Sequence, residues 1–121
     1  MTYQDLTVEI DGAIATICVN RPEKLNALRD QTADELIDAL HSLEQSAGVK
    51  VVILTGNGRA FGTGYDLSTV DLDTGCDLYT VLEDHFNPLI LALRRSRLLI
   101  ISRVNGPCAG VSVGIALACD I

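Results

Sequence analysis

The 121 residues predict one α/β domain in which strands and helices alternate along the chain. Two periodicities support this fold class. Residues 6–10 and 13–19 alternate apolar with polar side chains, as strands do, whereas the apolar side chains of residues 30–46 recur at helical spacing. A strand followed by a glycine-rich turn and then a helix occurs twice further along, which favours strands that share one sheet.

Turn and cap residues divide the chain into elements. Asp11 and Gly12 form a two-residue turn, so the first two strands form a β-hairpin. Asp30 is predicted to be the N-cap of the first helix, and Gly48 ends it. Pro88 is predicted to kink the second helix, because its ring clashes with the carbonyl four residues earlier. The domain, residues 1–121, therefore has strands near 6–10, 13–19, 49–54 and 98–104 and helices near 30–46, 77–95 and 110–118.

Composition and charge exclude two classes of protein. A hydrophobic share of 48% indicates a packed core, since a disordered chain has fewer aliphatic residues. The formal charge of −7 argues against nucleic acid as a partner, because nucleic-acid binders concentrate Lys and Arg to neutralise phosphate. An anionic small ligand would therefore need local cations. Arg21 and Lys24 are cations in a turn-rich segment, and without a ligand both are expected to be solvated surface charges.

The cysteines and the N-terminus bear on metals and on location. Four cysteines form no C-x-x-C pair and have no histidine beside them, so we expect no metal site and reduced, structural thiols. Polar residues open the chain and no apolar run reaches the length of a membrane span, so we expect a cytoplasmic protein without a membrane partner. His85 is expected to lie on the surface of the second helix.

Two glycine-rich segments are the candidates for function. Residues 55–67 contain four glycines directly after an apolar strand, and residues 105–114 contain three more. The glycines alone are compatible with an ordinary turn or with a loop whose N–H groups face a ligand. Two such loops can aim two peptide N–H groups at one oxygen, which forms an oxyanion hole for a carbonyl that gains negative charge.

Three successive motifs resemble a known family. They are N-R-P-E-K-L-N-A-L at 20–28, G-R-A-F-G-T-G-Y-D-L at 58–67 and V-N-G-P-C-A-G at 104–110, with a closing A-L-A-C-D-I. Their order and spacing resemble the enoyl-CoA hydratase/isomerase family, the crotonases, from about residue 6 onward. The resemblance implies a spiral of ββα units that binds acyl-CoA thioesters as substrates, as in fatty acid metabolism, without a prosthetic group. It also implies a homo-oligomer, a trimer or a hexamer.

The resemblance implies roles for individual residues. The backbone N–H groups of Tyr65 and Val111 would be the oxyanion donors. The acyl-CoA would also be lined by Lys24, Leu25, Ala27, Asp66, Leu67 and Ser68. Arg21 could serve the same cofactor or be structural.

The chain also departs from the family pattern. Gly114 stands where hydratases have a glutamate that activates water, and the second acidic position would fall beyond Ile121, so the resemblance assigns no catalytic acid here. Leu99 replaces a common proline, and Arg103 replaces a small apolar residue. Arg103 then needs either a carboxylate or solvent. Residues 78–93 resemble the ring-epoxide isomerase branch of phenylacetate breakdown.

These observations predict a truncated, crotonase-like α/β fold, since nothing turns or caps the chain after its last helix. The expected activity is that of an isomerase or lyase of the family rather than a hydratase. A catalytically inactive fragment that binds CoA or serves assembly is the alternative. A structural ββα module without a ligand is the third possibility, and the three motifs together count against it.

Overall fold

A four-stranded mixed sheet carries the glycine-rich segments, with its strands in the order β1-β2-β3-β4. The computed structural model describes residues 2–71 and 73–121. The strands are β1 (Leu6–Asp11), β2 (Ile14–Val19), β3 (Val51–Gly56) and β4 (Leu99–Ser102). β1 is antiparallel to β2, whereas β2, β3 and β4 are parallel. The α/β class is thus confirmed, and the parallel strands all end at one edge of the sheet, where ligands of such folds bind.

The helices lie between the strands in sequence. They are α1 (Asp30–Glu44), α2 (Leu78–Val81), α3 (Asn87–Arg95) and α4 (Val111–Ala118), with short 3-10 turns at Pro22–Lys24 and Leu67–Thr69. The prediction that Asp30 caps α1 is wrong by one residue. Arg29 has the extended backbone of an N-cap, and its N–H donates to the Thr32 hydroxyl over 3.2 Å. Asp30 is therefore the first helical residue, and its side chain bonds elsewhere.

Pro88 follows a local change in the second helical region. The turn just before it widens into a π-helix, Leu82–Phe86, in which the Asn87 N–H donates to the Leu82 carbonyl. Pro88 is then the second residue of α3, which continues directly from the π-helix. The one-residue bulge accommodates the proline ring, and it also sets the direction of His85 and Phe86.

The core is aliphatic and lies between the sheet and the helices. Alternate residues of β2 and β3 point inward, and α1 and α3 cover them with Leu36, Leu40, Leu89 and Leu93. Phe61 and Phe86 are the aromatic members of this cluster. Within residues 2–71 and 73–121, no helix combines the length and the apolar composition that a membrane crossing requires.

Candidate functional site

The structure brings the two glycine-rich segments side by side. Gly62 and Cys108 form a parallel bridge, in which the Gly62 N–H donates to the Pro107 carbonyl over 3.2 Å and the Ala109 N–H donates to the Gly62 carbonyl over 3.0 Å. This pairing continues the parallel order of β3 and β4 beyond the sheet proper. The two loops therefore run in the same direction, and each leads into the residue predicted to donate an N–H.

Gly64 and Gly110 make the closest approach between these loops. A Cβ on Gly110 would stand 3.2 Å from the Cα of Gly64, and a Cβ on Gly64 would stand 3.5 Å from the Ala109 carbonyl oxygen. Both glycines also have positive φ angles, +106° and +59°, which residues with a Cβ adopt only at a cost. The next residues on the two segments are Tyr65 and Val111. A pair of glycines thus lets the two predicted donors lie on touching backbones.

The N–H groups of Tyr65 and Val111 are both without an acceptor in the described part of the chain. Tyr65 forms a parallel bridge with Leu28, in which the Leu28 N–H donates to the Gly64 carbonyl and the Asp66 N–H donates to the Leu28 carbonyl. In such a bridge the N–H of the central residue faces the opposite side. Val111 is the first residue of α4, where N–H groups have no partner within the helix.

Two asparagines hold the turn that follows β3, and neither was predicted to have this role. The buried Asn26 amide donates to the Ala60 carbonyl over 2.7 Å, and its side-chain oxygen accepts from the Arg21 N–H over 2.9 Å. The Asn105 amide also donates to the Ala60 carbonyl, over 3.1 Å, while its oxygen accepts from the Gly56 N–H over 3.1 Å. Their role could have been predicted from the sequence, since asparagine side chains commonly form hydrogen bonds with backbone groups in turns.

Arg21 is structural, and the expectation that it is a solvated surface charge is wrong. Its side chain is buried, and its guanidinium donates to the Asp66 carboxylate over 3.0 Å. The other Asp66 oxygen accepts from the N–H and the hydroxyl of Ser68. These hydrogen bonds from Ser68, together with the neighbouring Arg21, hold the pKa of Asp66 below its ordinary value. The Asp66 side chain therefore supports the loop just after Tyr65 from the inside.

A second buried carboxylate extends this ionic cluster. Asp5 accepts from the Arg29 guanidinium over 2.7 and 2.8 Å and from the Thr32 hydroxyl over 2.6 Å, and it lies 3.9 Å from Arg21. Burial would raise the pKa of Asp5, but the hydrogen bonds from Arg29 and Thr32 outweigh it and hold the pKa low. The N-terminal segment, α1 and the loop at Asp66 are therefore joined through two arginines.

The other predicted binding residues lie on nearby surface. Lys24 and Leu25 are exposed, and the Leu25 carbonyl accepts from the Thr63 hydroxyl over 3.3 Å, next to the glycine loop. The Ala27 carbonyl accepts from Arg21. Leu67 is 71% exposed, on the 3-10 turn that also contains Ser68. In the described residues, no cluster of His, Cys, Asp or Glu could hold a metal ion, and all four cysteines are free thiols.

The Tyr65 side chain points to α1. Its phenol donates to the Asp30 carboxylate over 2.8 Å, and its ring packs edge-on against Phe86 with centroids 5.8 Å apart. Burial and the Asp30 hydrogen bond raise the pKa of Tyr65 to about 12. An open hollow of about 240 Å³ lies beside it, lined in part by Asp30 and Thr69. The Tyr65 phenol is thus protonated at neutral pH and donates to Asp30.

His85 is partly exposed at the surface of the π-helix, and it pairs there with two carboxylates of α1. Its Nδ1 lies 2.7 Å from an Asp34 oxygen, and its Nε2 lies 3.6 Å from an Asp30 oxygen. The hydrogen bond to Asp34, aided by the charges of Asp34, Asp30 and Asp84, raises the pKa of His85 despite partial burial. The ring thus connects the π-helix to the first turns of α1.

Helix α4 has two features that bear on the site. Gly114 has open space around it, since no atom lies within 4 Å of a Cβ built there. Ser112 is buried beside Gly62, and its hydroxyl has no hydrogen-bond partner among the described residues. Arg103 is exposed, so of its two options the structure shows the solvent-facing one.

Comparison with known proteins identifies the family of the chain. The enoyl-CoA hydratase/isomerase family model matches residues 9–121. A probable enoyl-CoA hydratase of Rhodobacter capsulatus is 38% identical over 100% of this chain and 46% of its own length. The 1,2-epoxyphenylacetyl-CoA isomerase of Escherichia coli is 35% identical over 93% of this chain and 44% of its own.

Solved structures agree with the sequence relatives. An enoyl-CoA hydratase/isomerase from Xanthobacter autotrophicus Py2 superimposes with a TM-score of 0.87 at 32% identity, covering 99% of this chain and 45% of that one. The chain thus spans about half the length of the relatives it matches. Its sheet, its touching glycine loops and its sequence together make it a member of the enoyl-CoA hydratase/isomerase family.

Proposed function

We propose that this chain binds an acyl-CoA thioester and polarises its carbonyl with the backbone N–H groups of Tyr65 and Val111. One observation carries the proposal. Both N–H groups lack an acceptor among the described residues, and both follow glycines whose backbones touch. Negative charge that develops on a carbonyl oxygen between two such donors is stabilised, and α4 adds the positive end of its dipole. The intermediate that these donors favour is an enolate.

Coenzyme A would lie along the exposed surface beside this pair. Lys24 offers a cation on the 3-10 turn Pro22–Lys24, and the backbone of Leu25 adjoins the glycine loop through Thr63. Leu67 offers an apolar side chain with 71% exposure on the other side of Tyr65. Ala27 and Asp66 would contribute mainly through the backbone, because the Asp66 carboxylate is occupied by Arg21 and Ser68. Ser68 lies at the exposed end of this path.

We propose an isomerase-like reaction rather than hydration, in which the proton is moved by an acid–base group that is not assigned among residues 1–121. Hydration needs a carboxylate to activate water, and the implied position holds Gly114, which has no side chain. The space around Gly114 is open, so the lack of a carboxylate there leaves room for a substrate group instead. Steady hydration of crotonyl-CoA by this protein would contradict the isomerase-like assignment.

The carbonyl-polarising role is tested with two ligands. Acetyl-CoA and CoA share the nucleotide and pantetheine parts, but only acetyl-CoA has a thioester carbonyl. We expect both to bind in calorimetry. We also expect the infrared stretch of isotope-labelled acetyl-CoA to shift to lower frequency on binding, because hydrogen bonds weaken the C=O bond. Absence of binding at about millimolar ligand would refute the proposal.

A matched pair of variants isolates one donor. Val111→Pro removes the N–H at the first position of a helix, where proline is well tolerated. We expect it to bind CoA but to lose much of the carbonyl shift with acetyl-CoA. Val111→Ala keeps the N–H and serves as the control, with an unchanged shift. An equal shift in both variants would contradict the role of this donor.

The runner-up function is a catalytically silent CoA-binding or assembly unit. It predicts binding of acetyl-CoA and CoA with equal affinity and no carbonyl shift in the unmodified chain. We also propose that this chain self-associates, supported by exposed apolar side chains in and after α4, among them Leu117 (77%) and Ile121 (72%). The trimer or hexamer that the resemblance implies is proposed for the full-length form. Sedimentation that shows only monomer at high concentration would contradict this part.

A further inference from the structure

We propose that the Tyr65 side chain is a positioning group: through its hydrogen bond to Asp30, it anchors the residue whose N–H polarises the substrate carbonyl, in addition to the backbone bond from Leu28. This inference rests on the proposed function and adds a residue contact to it. The phenol oxygen and the Asp30 Oδ1 are 2.8 Å apart. Asp30 is the first residue of α1, so the contact ties the glycine loop to a rigid helix.

The loop needs such a restraint because of the glycine that precedes Tyr65. Gly64 has φ +106° and no Cβ, so the loop has no side-chain contact at the residue just before Tyr65. The Leu28 N–H donates to the Gly64 carbonyl over 2.8 Å, and this carbonyl shares a planar peptide unit with the Tyr65 N–H, so the backbone bond directs that N–H to the opposite side of the strand. The Tyr65 ring and phenol supply a second anchor, through the side chain. Catalytic donors depend on this kind of support, because small errors in orientation weaken the stabilisation of charge.

Asp30 is itself held in place from a second direction. His85 lies with its Nε2 3.6 Å from Asp30 and its Nδ1 2.7 Å from Asp34, one helical turn further along α1. The neighbouring residue of the same π-helix, Phe86, is buried and contacts the Tyr65 ring edge-on. One bulged turn therefore contacts both the ring of Tyr65 and the carboxylate that accepts its phenol.

The test compares two tyrosines that make the same kind of bond to the same helix. Tyr3 donates to Asp38 of α1 over 2.7 Å, away from the glycine loop. We expect Tyr65→Phe to bind acetyl-CoA within about threefold of the unmodified chain, yet to show a smaller and broader carbonyl shift. Tyr3→Phe should show the full shift. A general loss of stability would affect both variants, whereas a positioning role affects only the first.

Rescue by a conservative change gives a second, independent readout. Asp30→Asn keeps an oxygen that accepts from the phenol, so we expect it to retain the carbonyl shift, whereas Asp30→Ala should lose it as Tyr65→Phe does. The two Asp30 variants also test the positioning role of Tyr65 in the case that Tyr65→Phe does not fold. Equal shifts in Asp30→Asn and Asp30→Ala would count against the inference.

Different results would refute the polarising function and the positioning role of Tyr65. If the unmodified chain binds acetyl-CoA without any carbonyl shift, the polarising function is refuted, and the positioning role with it. If the unmodified chain shows the shift and a folded Tyr65→Phe shows all of it, only the positioning role is overturned. Loss of shift in Tyr65→Phe and Asp30→Ala, with retention in Tyr3→Phe and Asp30→Asn, supports both.

Discussion

The backbones of Gly64 and Gly110 touch, so that a Cβ on Gly110 would stand 3.2 Å from the Cα of Gly64. Neither loop can move away easily, because the main chain of each is hydrogen-bonded on both sides of this contact. The proposed pair of donors exists because two side chains are missing at this point. Substitutions at glycines should therefore separate those that shape the site from those that do not.

Gly110→Ala should destabilise the protein by about 1–3 kcal/mol, because alanine is strained at φ +59°, ψ −135° and its Cβ would press on Gly64. We also expect the carbonyl shift of bound acetyl-CoA to be lost. Gly114→Ala, four residues along the same helix, has open space and should stabilise by roughly 0.5–1 kcal/mol. Urea unfolding measures both. A Gly110→Ala variant as stable as the parent would show that the loops can separate.

Arg21→Met should cost about 3–5 kcal/mol of unfolding free energy, because it leaves the buried Asp66 carboxylate without its cation. Lys24→Met removes a charge three residues away that is exposed, and should change stability by less than about 0.5 kcal/mol. Similar losses for the two variants would contradict the structural role of Arg21.

The same ion pair sets a pH dependence. The pKa values of Asp5 and Asp66 lie below the ordinary value of 3.8, so the stability they contribute is complete above that value and is lost as the pH falls through their lower, folded values. We expect the difference in stability between the parent and Arg21→Met to shrink in that acidic range. Denaturant titrations at several pH values measure it, and a constant difference would argue against the pairing.

Ser112→Ala should be neutral or stabilise the protein by up to about 1 kcal/mol, because the buried hydroxyl of Ser112 has no partner among the described residues. Ser102 offers the matched control. Its hydroxyl donates to the Ala116 carbonyl over 3.2 Å, so Ser102→Ala should cost about 1 kcal/mol. Thermal unfolding distinguishes the two. A clear loss in Ser112→Ala would mean that the hydroxyl has a partner, such as a bound water.

His85→Gln should lower stability more at acidic than at alkaline pH. The folded pKa of His85 is raised above 6.5, so its contribution is complete below that value and disappears as the pH rises through the folded pKa. We therefore expect the difference from the parent to be largest near about pH 5 and small near about pH 8.5. His41→Gln, on the exposed side of α1, is the control. A difference that grows with pH would contradict the His85–Asp34 contact.

The sequence was most informative where local chemistry decides the outcome. Alternation in residues 6–10 and 13–19 corresponds to β1 and β2, and the glycines at 64 and 110 mark positions that only main chain can occupy. Side-chain partners that are distant in the sequence could not be predicted from it. Nothing near Arg21 in the sequence indicates that Asp66, 45 residues away, neutralises it. The partner of His85 could not be predicted for the same reason, because Asp34 lies 51 residues away in the sequence.

The carboxylate of Asp5 is lost when the chain is shortened to its first strand. It precedes β1, so a shortened chain that starts at Leu6 would keep every strand and helix. Such a chain would nevertheless leave Arg29 without its bidentate partner and Arg21 with Asp66 alone. The few residues ahead of the first strand therefore belong to the buried ionic cluster that supports the loop at Asp66.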